Sequence, residues 1–227
     1  MAVDPEVKNT TLMSHHHHPV SGGLAKQLVV LLHGYGADGE DLIGLAPMLG
    51  QVLPDAAFVA PNAPFPCASA AWGFQWFDVW DADGERRLEG ARFANKILQP
   101  FYDVQLEAHN VPPEELYLVG FSQGTMMALH SGLRREIAPR CIVGFSGRLM
   151  AAHLLADEVT SRPPIMLAHG ANDDVVPVDS LEKANDALRA AGLDVESHVI
   201  EGLGHGIDET GILHAAQFLR RISAASG

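Results

Sequence analysis

Leu116-Tyr117-Leu118-Val119-Gly120-Phe121-Ser122-Gln123-Gly124 (116–124) joins a short apolar run to a Gly-x-Ser-x-Gly turn. The run is short, apolar and rich in β-formers, so it predicts a buried strand over Leu116 to Phe121. Beyond the turn, apolar residues recur at helical spacing and predict a helix from Gln123 to Glu136. A strand, a tight glycine-flanked turn and a helix in this order present the hydroxyl of Ser122 above the end of a sheet.

The rest of the chain alternates strands with helices. We predict further strands at Gln27 to Leu32, Ala56 to Ala60, Cys141 to Phe145, Ile165 to Ala168 and Val195 to Ile200, the last at an edge. We predict further helices at Glu85 to Ala108, Ser180 to Ala191 with Ser180 as N-cap, and Ile207 to Ile222. This alternation predicts an α/β fold with a mainly parallel central sheet and helices on both faces. Functional side chains are then expected beyond the carboxyl ends of the strands.

Ser146 is the rival to Ser122, since Gly144-Phe145-Ser146-Gly147-Arg148 also follows a predicted strand. Arg148 stands where the second glycine of the turn should be, so the tight-turn pattern fails there. We expect Ser146 to be a loop residue near the site.

A reactive serine hydroxyl needs a general base, and the base needs an orienting carboxylate. Among 12 histidines, His205 lies in a glycine-rich loop (202–206) after the last strand, in the order Ser, Asp, His that this fold uses. The fifth predicted strand leads into Asp173 and Asp174, which the pattern alone does not separate. Asp208 is expected to cap the last helix.

The developing negative charge of acyl transfer needs fixed N–H donors. We predict the backbone N–H of Gln123, at the start of a helix, and that of Tyr35, in the glycine-rich loop 33–39. That loop lacks the glycine spacing and the Gly-Lys-Ser/Thr of nucleotide sites, and no metal or cofactor is expected.

All three tryptophans lie within nine residues, at 72, 76 and 80, beside several phenylalanines. One interpretation is a buried flap that contributes to the core. The other is an apolar wall for an acyl chain, formed by Trp72, Trp76 and Phe77. The two are compatible.

Composition limits the partners. The 227 residues are 47% hydrophobic, which suits one globular domain over 23–227. We expect a flexible tail over 1–22, in which His15 to His18 are interpreted as a polar tail or an expression remnant.

The net charge of −13 disfavours binding to nucleic acid and to anionic lipid. With neither signal peptide nor membrane span in the sequence, we expect a cytoplasmic protein without integral membrane association. Two cysteines predict no disulfide, and a homodimer stays open.

The chain resembles the phospholipase/carboxylesterase family, which includes bacterial carboxylesterases akin to acyl-protein thioesterases and lysophospholipases. The resemblance is carried by LLHGYGADGEDL (31–42), APNAPF (60–65), WFD (76–78), GFSQGTMMAL (120–129), GFSG (144–147), HGANDDVVP (169–177) and GLGHGI (202–207). Residues 1–22 and 81–89 depart from it.

The resemblance implies an α/β-hydrolase without a large cap domain, acting on short- to medium-chain acyl esters. It favours Asp173 over Asp174, because the family's aspartate lies four residues after the histidine of the strand end. It likewise implies His205 as the base and Tyr35 as an oxyanion donor. Thioesters or lysophospholipids remain alternative substrates with the same chemistry, and a non-catalytic binding protein on this scaffold remains an alternative of another class.

Overall fold

A computed structural model describes residues 12–67, 69–79 and 84–225. Its main sheet has seven strands in the order β1-β3-β2-β6-β7-β8-β9, all parallel except the β1–β3 pair. These strands are β1 (Ser14–His17), β2 (Gln27–Leu32), β3 (Ala56–Pro61), β6 (Leu116–Phe121), β7 (Cys141–Phe145), β8 (Ile165–Gly170) and β9 (Val195–Ile200). A separate hairpin pairs β4 (Phe65–Pro66) with β5 (Phe74–Gln75).

The helices lie on both faces of this sheet, as predicted. They are α1 (Gly39–Ile43), α2 (Ala46–Leu49), α3 (Gly84–His109), α4 (Gln123–Gly132), α5 (Leu155–Glu158), α6 (Asp179–Ala190) and α7 (Glu209–Ala224). The described residues also form 3₁₀ turns at Pro113–Glu115 and Ala152–Leu154. Alternate residues of β2 belong to the two layers. Val30 belongs to the core cluster that includes residues of α3, α4 and α6, whereas Val29 belongs to the one that includes residues of α1, α2 and α7. The α/β-hydrolase architecture is therefore confirmed, and among the described residues no separate cap domain covers the strand ends.

All six predicted strands are present, and β9 lies at an edge as expected. The predicted helix from Gln123 to Glu136 ends earlier, at Gly132. Ser180 is not an N-cap, because α6 begins one residue before it and shows no side-chain cap. Asp208 does cap α7: its Oδ1 accepts a hydrogen bond of 2.8 Å from the N–H of Gly211.

The predicted flexible tail is wrong for Ser14–His17. These residues form β1, an antiparallel edge strand with His15 opposite Ala60 and His17 opposite Phe58. A histidine run has no alternation of apolar and polar residues, so its pattern does not predict a strand. Backbone hydrogen bonding to the edge of β3 provides the stability instead.

Cys67 and Cys141 are both buried free thiols. Among the described helices, none combines the length and apolar character needed to cross a membrane.

Candidate active site

Ser122 lies in a sharp turn between β6 and α4. Its φ of 52° and ψ of −113° are unfavourable for a residue with a side chain. The turn is held by the N–H of Ser122, which donates to the carbonyl of Phe145 in β7 at 2.8 Å. The strained backbone is the geometry that the Gly-x-Ser-x-Gly pattern predicts, with the serine at the carboxyl edge of the sheet.

The two glycines of the turn are required by close backbone approach. A Cβ on Gly124 would lie 1.8 Å from the carbonyl oxygen of Leu32, and one on Gly120 would lie 2.4 Å from the carbonyl group of Gly124. Both distances are far below van der Waals contact. Helix α4 can therefore begin against β2 and β6 only where these positions lack a side chain.

Ser122, His205 and Asp173 form a continuous hydrogen-bonded chain. Nε2 of His205 lies 3.0 Å from Oγ of Ser122, and Nδ1 lies 2.8 Å from Oδ2 of Asp173. An ionised carboxylate only accepts hydrogen bonds, so the network assigns the imidazole proton to Nδ1. Nε2 is then free to accept the proton of the serine hydroxyl.

The Asp173 carboxylate is buried and fully hydrogen-bonded. Its Oδ1 accepts from the N–H groups of Val175 and Val176 at 2.9 and 2.8 Å. Burial raises the pKa of Asp173, but the hydrogen bonds from His205, Val176 and Val175 outweigh it and hold the pKa below its ordinary value. The carboxylate therefore stays ionised, whereas Asp174 is exposed.

His169, near the end of β8, is a further neighbour of Asp173. Its Nε2 lies 3.2 Å from Oδ2 of Asp173 and 2.8 Å from the carbonyl of Val176. Both partners are acceptors, so this nitrogen carries a proton and donates to them. The sequence feature that could have identified this contact is the position of His169 at the end of β8, four residues before Asp173.

The loop that carries His205 is braced from two strands. Oγ of Ser146 donates to the carbonyl of Gly206 at 3.3 Å, which agrees with a loop residue near the site. A Cβ on Gly170, at the end of β8, would lie 2.3 Å from the carbonyl oxygen of Gly204. The ring of Phe121 lies 5.0 Å from the imidazole of His205, measured between centroids.

The glycine-rich loop 33–39 adjoins the serine. A Cβ on Gly34 would lie 3.4 Å from Cβ of Ser122. The loop therefore comes closest to the serine at Gly34, the residue just before Tyr35. The imidazole of His33 anchors the loop: Nε2 accepts from the N–H of Ala63 at 2.9 Å, so Nδ1 donates to the carbonyl of Gly34 at 2.7 Å. Burial lowers the pKa of His33, which keeps this ring neutral.

Gln123, the other predicted donor, is the first residue of α4, where a backbone N–H has no acceptor within the helix. Its side chain is clamped by the aromatic segment. Oε1 accepts from the N–H of Trp76 at 2.8 Å, and Nε2 donates to the carbonyl of Phe77 at 2.7 Å. Sequence reasoning missed this role, since only the backbone of Gln123 was considered.

The predicted acyl wall is wrong for Trp76, whereas Phe77, although part of the core, also lines a cavity. Trp76 is 0% exposed and Phe77 is 2% exposed, both within the core, so the interpretation as a buried flap holds for them. Nε1 of Trp76 donates to the carbonyl of His33 at 2.9 Å and ties the flap to the loop 33–39. Trp72 is 91% exposed and lines a surface cleft of about 460 Å³ beside Gly36. Trp80 lies outside the described residues.

Known esterases and thioesterases are similar to this chain in sequence and in fold. The sequence profile of the phospholipase/carboxylesterase family matches residues 20–223. Esterase YpfH of Escherichia coli (strain K12) is 30% identical over 199 residues, which cover 86% of this chain and 83% of that protein. Acyl-protein thioesterase 1 of Gibberella zeae is 26% identical over 210 residues, covering 85% and 89%. The crystal structure of esterase PE8 superposes with a TM-score of 0.89 at 43% identity, covering 94% of this chain and all of that one.

Proposed function

The chain belongs to the phospholipase/carboxylesterase family and is a carboxylic-ester hydrolase, and on this premise we propose that it cleaves short- to medium-chain acyl esters through an acyl-enzyme on Ser122. The observation that carries the proposal is the hydrogen-bonded chain from Asp173 through His205 to Ser122, at 2.8 and 3.0 Å. A buried carboxylate, an oriented imidazole and a serine on a strained turn are the parts that acyl transfer requires.

In the proposed first step, Oγ of Ser122 attacks the ester carbonyl carbon while Nε2 of His205 takes the hydroxyl proton. The resulting oxyanion is stabilised by the N–H groups of Tyr35 and Gln123. The intermediate collapses, the C–O bond to the alcohol breaks, and His205 returns the proton to the leaving alcohol. Asp173 stabilises the imidazolium throughout.

The second step repeats the chemistry with water. His205 takes a proton from water, whose oxygen attacks the acyl carbon, and the C–O bond to Ser122 breaks as the proton returns to Oγ. The products are a carboxylic acid and the free enzyme. No metal or cofactor takes part in this scheme.

Replacing Ser122 tests the proposal. We expect Ser122→Ala to reduce kcat for p-nitrophenyl butyrate by at least about 10⁴-fold, since the nucleophile of a triad is lost. Near-ultraviolet circular dichroism would check that the fold is kept. Turnover equal to that of the unchanged enzyme would contradict the assignment.

A second measurement separates catalysis from mere binding. A fluorophosphonate probe should label the unchanged protein at Ser122 and leave Ser122→Ala unlabelled, since phosphonylation needs an activated hydroxyl. A protein that only binds ligands would not be labelled.

The similarity to an acyl-protein thioesterase supports a second candidate function that uses the same triad. A panel of p-nitrophenyl esters of increasing chain length, an acyl thioester and a lysophospholipid would rank the substrates by kcat/KM. A thioester or lysophospholipid preference of tenfold or more over every simple ester would replace the carboxylesterase proposal.

A further inference from the structure

Two arginines, Arg87 in α3 and Arg148 after β7, line one cavity of about 210 Å³. The rest of its wall is mostly apolar and comes from the same two segments and the aromatic flap: Phe77, Gly84, Leu88, Leu149, Met150 and Ala151. Arg148 is the residue that breaks the tight-turn pattern around Ser146. It makes none of the hydrogen bonds described above for Ser122, His205 and Asp173.

In the part of the chain that the structure describes, the guanidinium groups of Arg87 and Arg148 lack the carboxylate partners that several other arginines have. Arg92 and Arg134 both pair with Glu158, and Arg135 pairs with Asp103. Within 12–67, 69–79 and 84–225, neither Arg87 nor Arg148 has a hydrogen bond or an ion pair. Two cations thus converge on one cavity in a protein with a net charge of −13.

This arrangement is electrostatically costly without an anion. Burial, and next the positive charge of Arg87, lower the pKa of Arg148. An anion bound between the two groups would remove the repulsion and supply acceptors for both. Gly84, the first residue of the 26-residue helix α3, lines the same cavity, so the helix dipole adds to the attraction.

The cavity adjoins the turn that carries Ser122. Phe77 lines it, and the carbonyl of Phe77 accepts the hydrogen bond from the side chain of Gln123, next to Ser122 in the chain. On the other side, Gly147 precedes Arg148, and a Cβ on Gly147 would lie 3.0 Å from the carbonyl oxygen of Ser122. Two residues of the cavity wall, Phe77 and Arg148, are thus linked to the turn of Ser122, the first through Gln123 and the second through Gly147.

We propose that Arg87 and Arg148 form an anion subsite that binds an acidic group, carboxylate or phosphate, at the non-reacting end of the ester substrate. The inference rests on the proposed function, since it names a substrate class for the same serine. Cavities for whole ligands usually measure about 300–1,000 Å³, so one of about 210 Å³ fits only a part of a substrate.

A matched pair of substrates tests the subsite. The mono-p-nitrophenyl ester of glutaric acid and p-nitrophenyl pentanoate have acyl chains of equal length that end in a carboxylate or a methyl group. The readout is the ratio of kcat/KM for the acidic ester to that for the neutral ester. We expect Arg148→Gln and Arg87→Gln each to lower this ratio by about tenfold or more, the size of a lost hydrogen bond to a charged group.

Two further variants serve as controls. Arg220→Gln makes the same charge change at an exposed position of α7, which packs on the face of the sheet opposite to α3, and should leave the ratio unchanged. Arg148→Lys should lower the ratio less than Arg148→Gln does, because lysine keeps the positive charge but lacks the planar guanidinium group. A ratio that stays the same in both glutamine variants, or falls equally in Arg220→Gln, would overturn the subsite.

Failure of the proposed function gives a different result. If Ser122→Ala still turned over the pentanoate ester, the serine assignment itself would fail. If turnover depends on Ser122 while the ratio does not depend on the arginines, only the subsite fails.

Competition identifies the acidic group. Glutarate and inorganic phosphate are each tested as inhibitors of pentanoate ester hydrolysis, with the unchanged enzyme and with Arg148→Gln. If glutarate is the stronger inhibitor and its inhibition depends on Arg148, the subsite binds a carboxylate. If phosphate is the stronger inhibitor and its inhibition depends on Arg148, the subsite binds a phosphate ester. Inhibition by both that does not depend on Arg148 would contradict the proposal.

Discussion

Asp173 holds His205 through a hydrogen bond of 2.8 Å that Nδ1 of His205 donates to Oδ2 of Asp173, although the two residues lie 32 positions apart in the chain. The contact forms because the ends of β8 and β9 lie side by side, so the loops that follow them meet. The next residue, Asp174, is exposed and makes no comparable contact among the described residues.

Replacing each aspartate separates their roles. Asp173→Asn should lower kcat for p-nitrophenyl butyrate by about 10³- to 10⁴-fold, because a neutral amide neither fixes the tautomer of His205 nor stabilises its cationic form. Asp174→Asn, the matched control, should stay within about twofold, as a surface change does. Equal losses in the two variants, or a larger loss at Asp174, would show that the wrong carboxylate has been chosen.

The side chain of Gln123 links catalysis to the aromatic flap. Gln123→Ala would leave the N–H of Trp76 and the carbonyl of Phe77 unpaired in the interior, at a cost of about 1–3 kcal/mol for each group. We expect lower stability in urea titrations together with a lower kcat, since the flap also anchors the loop 33–39.

Gln51→Ala, an exposed glutamine, is the control for Gln123→Ala and should change neither quantity. Loss of kcat without any loss of stability would indicate that the side chain of Gln123 contacts the substrate and does not brace the flap.

Gly124→Ala should prevent folding, because its Cβ would lie 1.8 Å from the carbonyl oxygen of Leu32 in a buried strand. The soluble yield and the thermal transition measure this effect. Gly23→Ala meets only the Ser21 hydroxyl oxygen, at 3.6 Å, and should fold normally. A Gly124→Ala protein with an unchanged thermal transition would contradict the close approach of α4 to β2.

His130 makes stability depend on pH. Its side chain is 3% exposed, and neither ring nitrogen has a hydrogen-bond partner in the described structure. Burial, and next the positive charge of Arg134, lower the pKa of His130 to about 4. The unfolded chain titrates near 6.5, so below that pH the unfolded state binds the extra proton and stability falls. Urea titrations should show a loss of about 2 kcal/mol from this residue between pH 7 and pH 5.

His130→Gln removes the titrating group and should flatten that part of the pH profile. His153→Gln, at an exposed position, should leave the profile as it is. A profile with the same slope in both variants would assign the acid sensitivity to other groups.

The sequence predicted those parts of the site that local patterns encode. Ser122 was found because a strand, two glycines and a helix are visible within nine residues, and His205 because its loop follows the last strand. The ranking of Asp173 over Asp174 came from the family resemblance. The hydrogen bonds in the structure agree with that ranking, although the catalytic roles stay predictions.

The parts that were missed depend on distant segments. The aromatic cluster indicated burial, but whether Trp76 faces a substrate or the core is decided by Gln123, 47 residues away. That Arg148 faces another cation, Arg87, likewise depends on which side chains of α3 meet it. Strand β1 was missed because its stability comes from backbone pairing with β3, which leaves no pattern in the side chains.

Strand β1 has a consequence for how the protein is handled. Because residues 14–17 cover the outer side of β3, a chain trimmed to begin after residue 22 would present a row of unsatisfied backbone groups to other molecules. An exposed edge strand of this kind favours intermolecular strand pairing, and therefore aggregation, even when catalysis is intact. The histidine run looks like a removable affinity tag, but it forms the edge strand that covers β3. It should be retained in any shortened version of the protein.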